Sequence, residues 1–442
     1  MAAEKVHTTS LDIILSGALT RRRSKNQLRQ LTTVPPGTAD FSSNYYLSLS
    51  SHPAVQRAFL DRLWEPTLTD PTRPPLNLLG SGGSRLLDGN SDTAEALEQT
   101  IAAFHHAPAG LLFNSAMDAN VGLLSSVPQP GDVIVYDELI HASVHDGMRL
   151  SRAGKRIPFD HNRVYATLEK SEAHSSSHDK HDSLEKVLLD LKEQEENRSQ
   201  QNANGTPRQI FIVVEGVYSM DGDVAPLVDI VECLERIFGG ENAHIIVDEA
   251  HSVGVFGDCG RGLVSHLGLE DRVWARVLGF GKAMGCSGGI VLCSPTARDY
   301  LINYARTLVY TTMMPFSSLA SIETTYNFVI FGQANPLLDN LRRLIHLEHK
   351  QVEKVVTPVI PVLTSRPRSL ASYCQEKKLM VRPIVAPTVP KGQERIRICL
   401  HAANNMEEVR TLIQTIEEWV LGQLAHGNGR EGSETQNQNA KL

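Results

Sequence analysis

His244-Ile245-Ile246-Val247-Asp248-Glu249-Ala250-His251 is the stretch on which the fold turns. His244–Val247 is a short apolar run without polar alternation, the pattern of a strand covered on both faces. It ends in a carboxylate, with a histidine three residues on. The same pattern recurs outward from it, at Asp132–Tyr136, Ile210–Val214 and Gly289–Cys293, and at Gly110–Phe113 after a helical stretch, Glu95–His106. Helical segments between such runs imply right-handed crossovers and a mainly parallel α/β sheet. Ligands on these sheets sit beyond the carboxyl ends of the strands. Reactive side chains collect there: His141 after Ile134–Tyr136, Glu215 and Ser219 after Ile210–Val214, and Asp248 and His251 after Ile245–Val247.

At 442 residues the chain exceeds the size at which one core stops growing, so a large domain plus a smaller one is expected. The expected division is an N-terminal helix and arm over 1–60, a large domain over 61–316, a small α+β C-terminal domain over 317–425, and a disordered polar tail over 426–442. Residues 9–32 have near-helical spacing and read as a surface helix that could cross onto a partner subunit. Residues 317–345 read as a helical link into the small domain. That domain has strand-like runs near Leu379–Ile384 and Arg395–Leu400 and a last helix, Met406–Leu424. Residues 170–206 read as a polar surface insertion around a helix, Leu184–Glu196, and the stretch His174–His181 as a solvated loop rather than a metal site.

Apolar content of 41% and charged content of 21% are ordinary for a soluble globular protein. A net charge of −7 gives no general attraction to nucleic acid or anionic membrane. The cysteines, Cys233, Cys259, Cys286, Cys293, Cys374 and Cys399, show no CxxC or Cys/His ligand spacing, which points to reduced thiols. No apolar run approaches the ~20 residues of a membrane span. The short apolar stretch Leu11–Leu15 precedes the basic Arg21–Arg23, the reverse of a secretory signal, and Glu4 and Asp12 argue against a mitochondrial presequence. The chain stops at Ala440-Lys441-Leu442, a variant of the Ser-Lys-Leu address, so import into peroxisomes by its receptor is expected, with the cytoplasm as the alternative.

Downstream of Asp248 lies Leu278-Gly279-Phe280-Gly281-Lys282-Ala283-Met284-Gly285-Cys286-Ser287-Gly288-Gly289. Glycines around a lysine let a flat ligand approach it closely. Read alone, the segment is weak evidence, since a glycine-rich turn carrying a solvated lysine accounts for it, and it does not satisfy the GxxxxGK[ST] loop of NTP hydrolysis. Asp248 read alone is equally a helix N-cap with Glu249 in the first turn. The chemical alternative is that a carboxylate at a strand end pairs with a pyridinium nitrogen and keeps it protonated, making the ring an electron sink.

The strings resemble the α-oxoamine synthase family of fold-type I pyridoxal-phosphate enzymes. The likeness rests on Phe41-Ser42-Ser43-Asn44-Tyr45-Tyr46-Leu47, Gly83-Ser84-Arg85-Leu86-Leu87-Asp88-Gly89-Asn90, His141-Ala142-Ser143 with Asp146-Gly147, and Glu215-Gly216-Val217-Tyr218-Ser219-Met220-Asp221-Gly222-Asp223, in order with Asp248, His251 and Lys282. The resemblance implies that Lys282 forms an imine with the cofactor and then moves protons. It also implies that Asp248 pairs with the ring nitrogen, that His141 stacks on the ring, and that Ser219 and His251 contact its phenolic oxygen. The turn at Ser115-Ala116-Met117 is implied to offer backbone N–H groups to the phosphate at a helix start. Arg397 is implied to grip the substrate carboxylate, with a strand-edge salt bridge as its alternative. Asn44 and Arg85 are placed at the substrate entrance or in local structural contacts. Thr311 and Thr312, in Tyr310-Thr311-Thr312-Met313, are implied to reach the phosphate of a neighbouring subunit in a homodimer.

This chain departs from the family pattern at several positions. Gly279 stands where a phosphate-binding Thr is usual, Ala116-Met117 where Gly and an aromatic are usual, Ala94 where His is common, Ile140 where Asn precedes His141, and Ser48 where Gly is usual. These bear on the substrate channel more than on Lys282, Asp248 and His251. The activity implied is decarboxylating condensation of an amino acid with an acyl thioester, L-alanine with pimeloyl-CoA in the first place, for biotin synthesis. Glycine with acetyl-CoA or succinyl-CoA, serine with a long-chain acyl-CoA, and a polyketide thioester are the rivals. A non-catalytic subunit of a synthase complex would be expected to lose the imine lysine, and Lys282 is present. An aminotransferase on the same fold would need no thioester.

Overall fold

The computed structural model describes residues 9–25, 27–64, 78–166, 181–201, 207–240, 242–347 and 357–437. The chain divides into two compact units: a larger one of Ser42–Pro361 with Ile398–Met406, and a smaller one of Met1–Phe41, Val362–Arg397 and Glu407–Leu442.

The chain opens with α1 (Ser10–Ser24) and β1 (Ala39–Asp40). Then come α2 (Pro53–Leu63), α3 (Asp92–Phe104), β2 (Ala109–Phe113), α4 (Ala116–Ser126), β3 (Val133–Asp137), α5 (Ala142–Leu150), β4 (Lys155–Phe159) and α6 (Leu184–Gln201). They are followed by β5 (Ile210–Glu215), α7 (Leu227–Phe238), β6 (Ala243–Asp248), α8 (Leu263–His266), β7 (Ala275–Gly279) and β8 (Gly289–Cys293). After α9 (Pro295–Tyr304), α10 (Arg306–Val309), α11 (Phe316–Ile330) and α12 (Asn335–Leu347) come β9 (Val359–Leu363), α13 (Pro367–Glu376), β10 (Leu379–Met380), β11 (Arg382–Ile384), β12 (Arg395–Cys399) and α14 (Met406–Asn437).

Among the described residues, seven strands form the sheet of the larger unit in the order β2-β8-β7-β6-β5-β3-β4. Strands β4, β3, β5, β6 and β7 run parallel, which agrees with the mainly parallel sheet expected, although β4 and β7 are not among the runs read from sequence. Only β8 runs against its neighbours. The loop from Gly279 to Gly289 is too short for a parallel crossover, which needs about a dozen residues or more. Both sheet faces are buried: Ile210, Ile212 and Val214 of β5 enter one apolar cluster, and Phe211 and Val213 enter the other. That is why the strand runs read as continuous rather than alternating.

The insertion expected over residues 170–206 is corrected in part. Leu184, Val187, Leu188 and Leu191 of α6 are buried in the first cluster, so α6 is a crossover helix between β4 and β5. His174 and its neighbours up to residue 180 lie outside the described residues. In the smaller unit, α1 is capped by a Thr9–Asp12 capping box, contains no buried residue, and ends at Ser24, short of the expected 32. β1 pairs parallel with β10, and β11 pairs antiparallel with β12, placing Arg382 opposite Arg397. The single strand expected at Leu379–Ile384 is thus split at Val381, and α14 extends past His426. The Ala440-Lys441-Leu442 terminus lies outside the described residues.

Candidate active site

Asp248 closes β6 beside Glu215, its partner in register at the end of β5. It is buried, and its carboxylate is fixed at both oxygens. Asn120 Nδ2 donates to Oδ2 at 2.7 Å and the Ala250 backbone N–H donates to Oδ1 at 2.9 Å. Asn120 also donates to Ser143 Oγ at 3.0 Å, and Ser143 Oγ stands 2.8 Å from His141 Nδ1. A continuous chain therefore joins Asp248 to His141. Asn120, buried in α4, was missed by the sequence reading. The available signal was a polar residue inside the apolar run Ala119-Asn120-Val121-Gly122-Leu123-Leu124.

His141 is the N-cap of α5, and its Nδ1 accepts from the Ser143 N–H at 3.2 Å. That edge is enclosed while the residue as a whole stays exposed. Enclosure lowers the ring's pKa, and Lys282 acts in the same direction against Asp248 and Asp146. The imidazole is thus neutral at pH 7. Glu215 is buried, and burial with the Asp248 charge beside it raises its carboxyl well above the usual range, against the pull of Lys282. Lys282 and Asp248 both act electrostatically on His141 and Glu215, so these four groups form one constellation.

Lys282 is half-buried in the loop between β7 and β8. Its carbonyl accepts from the Gly285 N–H at 2.9 Å, and the Phe280 carbonyl accepts from the Cys286 N–H at 2.8 Å. The buried His251 shares a hydrogen bond of 2.8 Å between Nδ1 and the Tyr46 hydroxyl. Tyr46 Oη lies 3.5 Å from Asn44 Oδ1, which links Asn44 to this side of the site.

Ser115 caps α4, with Oγ accepting from the Asp118 N–H at 3.0 Å. The N–H groups of Ala116 and Met117 begin that helix, as an anion cradle requires. The missing Thr at 279 has a packing counterpart. A Cβ on Gly279 would lie 3.1 Å from the Ala116 Cβ and 3.0 Å from the Ala250 Cβ. The methyl of Ala116, where the family has glycine, fills the room that a side chain at 279 would need. A Cβ on Gly289 would come within 2.7 Å of the Ala116 nitrogen, so the floor of the cradle is closed to side chains. Of the other departures, Ile140 and Ala94 are buried, Ile140 within the second apolar cluster, while Ser48 holds a left-handed φ of +55°, a conformation that favours glycine.

Thr311 Oγ1 lies 3.4 Å from Asn114 Nδ2, so this segment is tied to the start of α4 in its own chain. Arg85 stands as a local structural contact. It forms an ion pair with the buried Glu98, and its Nη2 donates to Asn90 Oδ1 at 2.8 Å. Glu98 further holds Arg298 Nη2 at 2.9 Å. Ser219 is half-buried in the loop after β5, and Arg397 is half-buried on β12 of the smaller unit.

A flat pyridine ring bearing a phosphate fits these residues: an anchored carboxylate, an open imidazole, a lysine in a glycine-lined loop, and a helix start floored by glycine. The chain belongs to the aminotransferase class I and II family, whose model matches residues 37–416. It is a fold-type I, pyridoxal-phosphate-dependent acyltransferase of the α-oxoamine synthase kind.

Among its relatives is the 8-amino-7-oxononanoate synthase of Emericella nidulans, 49% identical, with 92% of this chain and 95% of the relative covered. The aminoacyl transferase sphA of Aspergillus fumigatus is 38% identical, with 91% and 86% covered. In fold the chain is similar to the solved serine palmitoyltransferase of Sphingomonas wittichii (TM-score 0.71, 24% identity, 93% of this chain and 97% of that one). It is likewise similar to 8-amino-7-oxononanoate synthase of Francisella tularensis (TM-score 0.62, 23% identity, 88% and 100%).

Proposed function

We propose that this enzyme condenses L-alanine with pimeloyl-CoA, or another pimeloyl thioester, to give 8-amino-7-oxononanoate, free thiol and carbon dioxide in biotin biosynthesis. The observation that carries the proposal is the 49% identity to a synthase of that name across nearly the whole of both chains. In balance, a bond forms between the alanine α-carbon and the acyl carbon, the C–S bond breaks, and the carboxylate leaves as carbon dioxide.

When bound, pyridoxal phosphate supplies an electron sink for negative charge at the α-carbon. Asp248, held by Asn120 and the Ala250 N–H, keeps a proton on the ring nitrogen. Neutral His141 covers a ring face without competing for that proton. Glu215 stands beside Asp248 at these paired strand ends, and burial together with the Asp248 charge pushes its carboxyl well above the usual range. Lys282 Nζ takes the α-proton and later returns one, and the N-terminus of α4 holds the phosphate. Arg397 grips the amino-acid carboxylate.

The test is thiol release by cofactor-loaded protein, with glycine, serine and other acyl-CoAs run beside L-alanine and pimeloyl-CoA. Fast release from the alanine–pimeloyl pair alone is expected. Turnover of another pair in its place would move the substrate to that pair, and the aminoacyl transferase relatives make such an outcome concrete.

The working form is proposed to be a homodimer. Leu87 (77% exposed), Tyr310 (72%) and Met117 (50%) are large apolar side chains on the segments that frame the cradle. Sedimentation should give twice the chain mass, and a monomer would refute this. Peroxisomal import through Ala440-Lys441-Leu442 is also proposed. Fusing the last dozen or so residues to a fluorescent protein should send it to peroxisomes, and diffuse fluorescence would refute it.

A further inference from the structure

Away from Lys282, a second polar cluster joins three strand-end loops. His161, just past β4, faces a carboxylate with each ring nitrogen: Nδ1 lies 2.7 Å from Asp137 Oδ1 and Nε2 lies 2.6 Å from Asp223 Oδ2. Asn162 repeats the bridge, donating from its N–H to Asp137 Oδ2 at 2.9 Å and from Nδ2 to Asp223 Oδ2 at 2.6 Å. Only an imidazolium can donate from both nitrogens. Burial works against the charge, but the bonds to Asp137 and Asp223 overcome it and raise the pKa to about 10. The ring stands edge-on to Tyr218, 4.5 Å between centroids, and the His161 N–H donates to Glu138 Oε1 at 3.2 Å.

The cluster lies between loops that carry two site residues. Asp137 ends β3, and its Oδ1 accepts from the Leu139 N–H at 2.9 Å, which sets the path toward His141. Asp223 closes the loop that carries Ser219: the Tyr218 N–H donates to the Asp223 carbonyl at 3.0 Å, and Val217 bridges Val224. Gly222, at φ +73°, sits against the Val359 carbonyl so tightly that no Cβ fits, and Thr357 Oγ1 donates to the Gly222 carbonyl at 2.6 Å. The tip of this loop is therefore anchored on one side and held by His161 on the other.

We propose that His161, bridging Asp137 and Asp223, is a positioning residue that fixes Ser219 and His141 in one frame against the cofactor ring. The proposal rests on the reading above that those two residues contact the ring. It assigns His161 no contact with substrate.

The test uses full-length His161→Asn and Asp223→Asn, with thermal melting as the fold control. The readouts are cofactor affinity by fluorescence titration and the pH midpoint of the visible absorbance of the bound cofactor. Both variants are expected to melt as folded proteins with that midpoint displaced by about half a pH unit or more. Their kcat should fall about tenfold or more while the KM for the amino acid changes much less. Variants that melt lower but keep the wild-type midpoint and kcat would overturn the proposal. If His161→Asn does not fold, the isosteric Asp223→Asn carries the same expectation alone. Wild-type protein lacking a cofactor band dependent on Lys282 would sink the functional reading itself, an outcome distinct from unmoved variants beside a normal wild type.

Discussion

Asp248 can serve a ring nitrogen only if its carboxylate is held still, and Asn120 does much of that holding. In Asn120→Ala a buried charge loses a donor, which costs about 1.5–3 kcal/mol. The expected result is a tenfold or greater rise in the cofactor Kd by fluorescence titration, with a melting transition that is lowered but still cooperative. An unchanged Kd would remove Asn120 from the site. Gly279 and Ala116 form a second residue-scale pair, since a Cβ at 279 would meet the Ala116 methyl at 3.1 Å. Gly279→Thr is expected to destabilise by ~1–3 kcal/mol through overpacking. Adding Ala116→Gly should recover part of it, since the Ala250 Cβ at 3.0 Å remains, and a double-mutant cycle would read the coupling. Asp248, His251 and Lys282 stand out in sequence as candidates at a strand end or among glycines, and their roles come from the family resemblance of the strings around them. Asn120 and Tyr46 were not read as site residues, because their roles arise from contacts far apart in the chain.

At the scale of elements, strands buried on both faces declare themselves as unbroken apolar runs, and β3, β5, β6 and β8 were read on that basis. β4 was not, because an edge strand carrying Lys155, Arg156 and Pro158 has the composition of a loop. β7 was hidden by Arg276, a buried charge whose Nη2 donates to the His105 carbonyl at 2.6 Å. α6 was read as helix but not as core, since its charged face dominates the composition. Its packing gives a direct test. Leu188, fully buried, should cost ~2–5 kcal/mol on replacement by Ala, measured by urea unfolding. Ile14 of α1, 66% exposed, should cost under ~0.5 kcal/mol. A neutral Leu188→Ala would return α6 to the surface insertion first read there.

For the whole molecule, the His161 cluster predicts how stability follows pH. His161 holds its proton to about pH 10 in the folded chain, against ~6.5 for an unperturbed imidazole. A raised folded pKa gives stability that is complete below the unfolded value and lost as pH rises through the folded one. Melting temperature should therefore decline as pH rises from ~6.5 to about 10, where this contribution is exhausted, and His161→Asn should flatten that slope. An equal slope in both proteins would show that other groups set it. The central claim is that the assembled site performs a decarboxylating condensation. The most direct test supplies L-alanine labelled at its carboxyl carbon, with pimeloyl-CoA, and measures labelled carbon dioxide against free thiol. The account predicts equal amounts of the two from the wild type and none of either from Lys282→Ala. Retention of the label in pyruvate with no thiol released would contradict it and mark an aminotransferase instead.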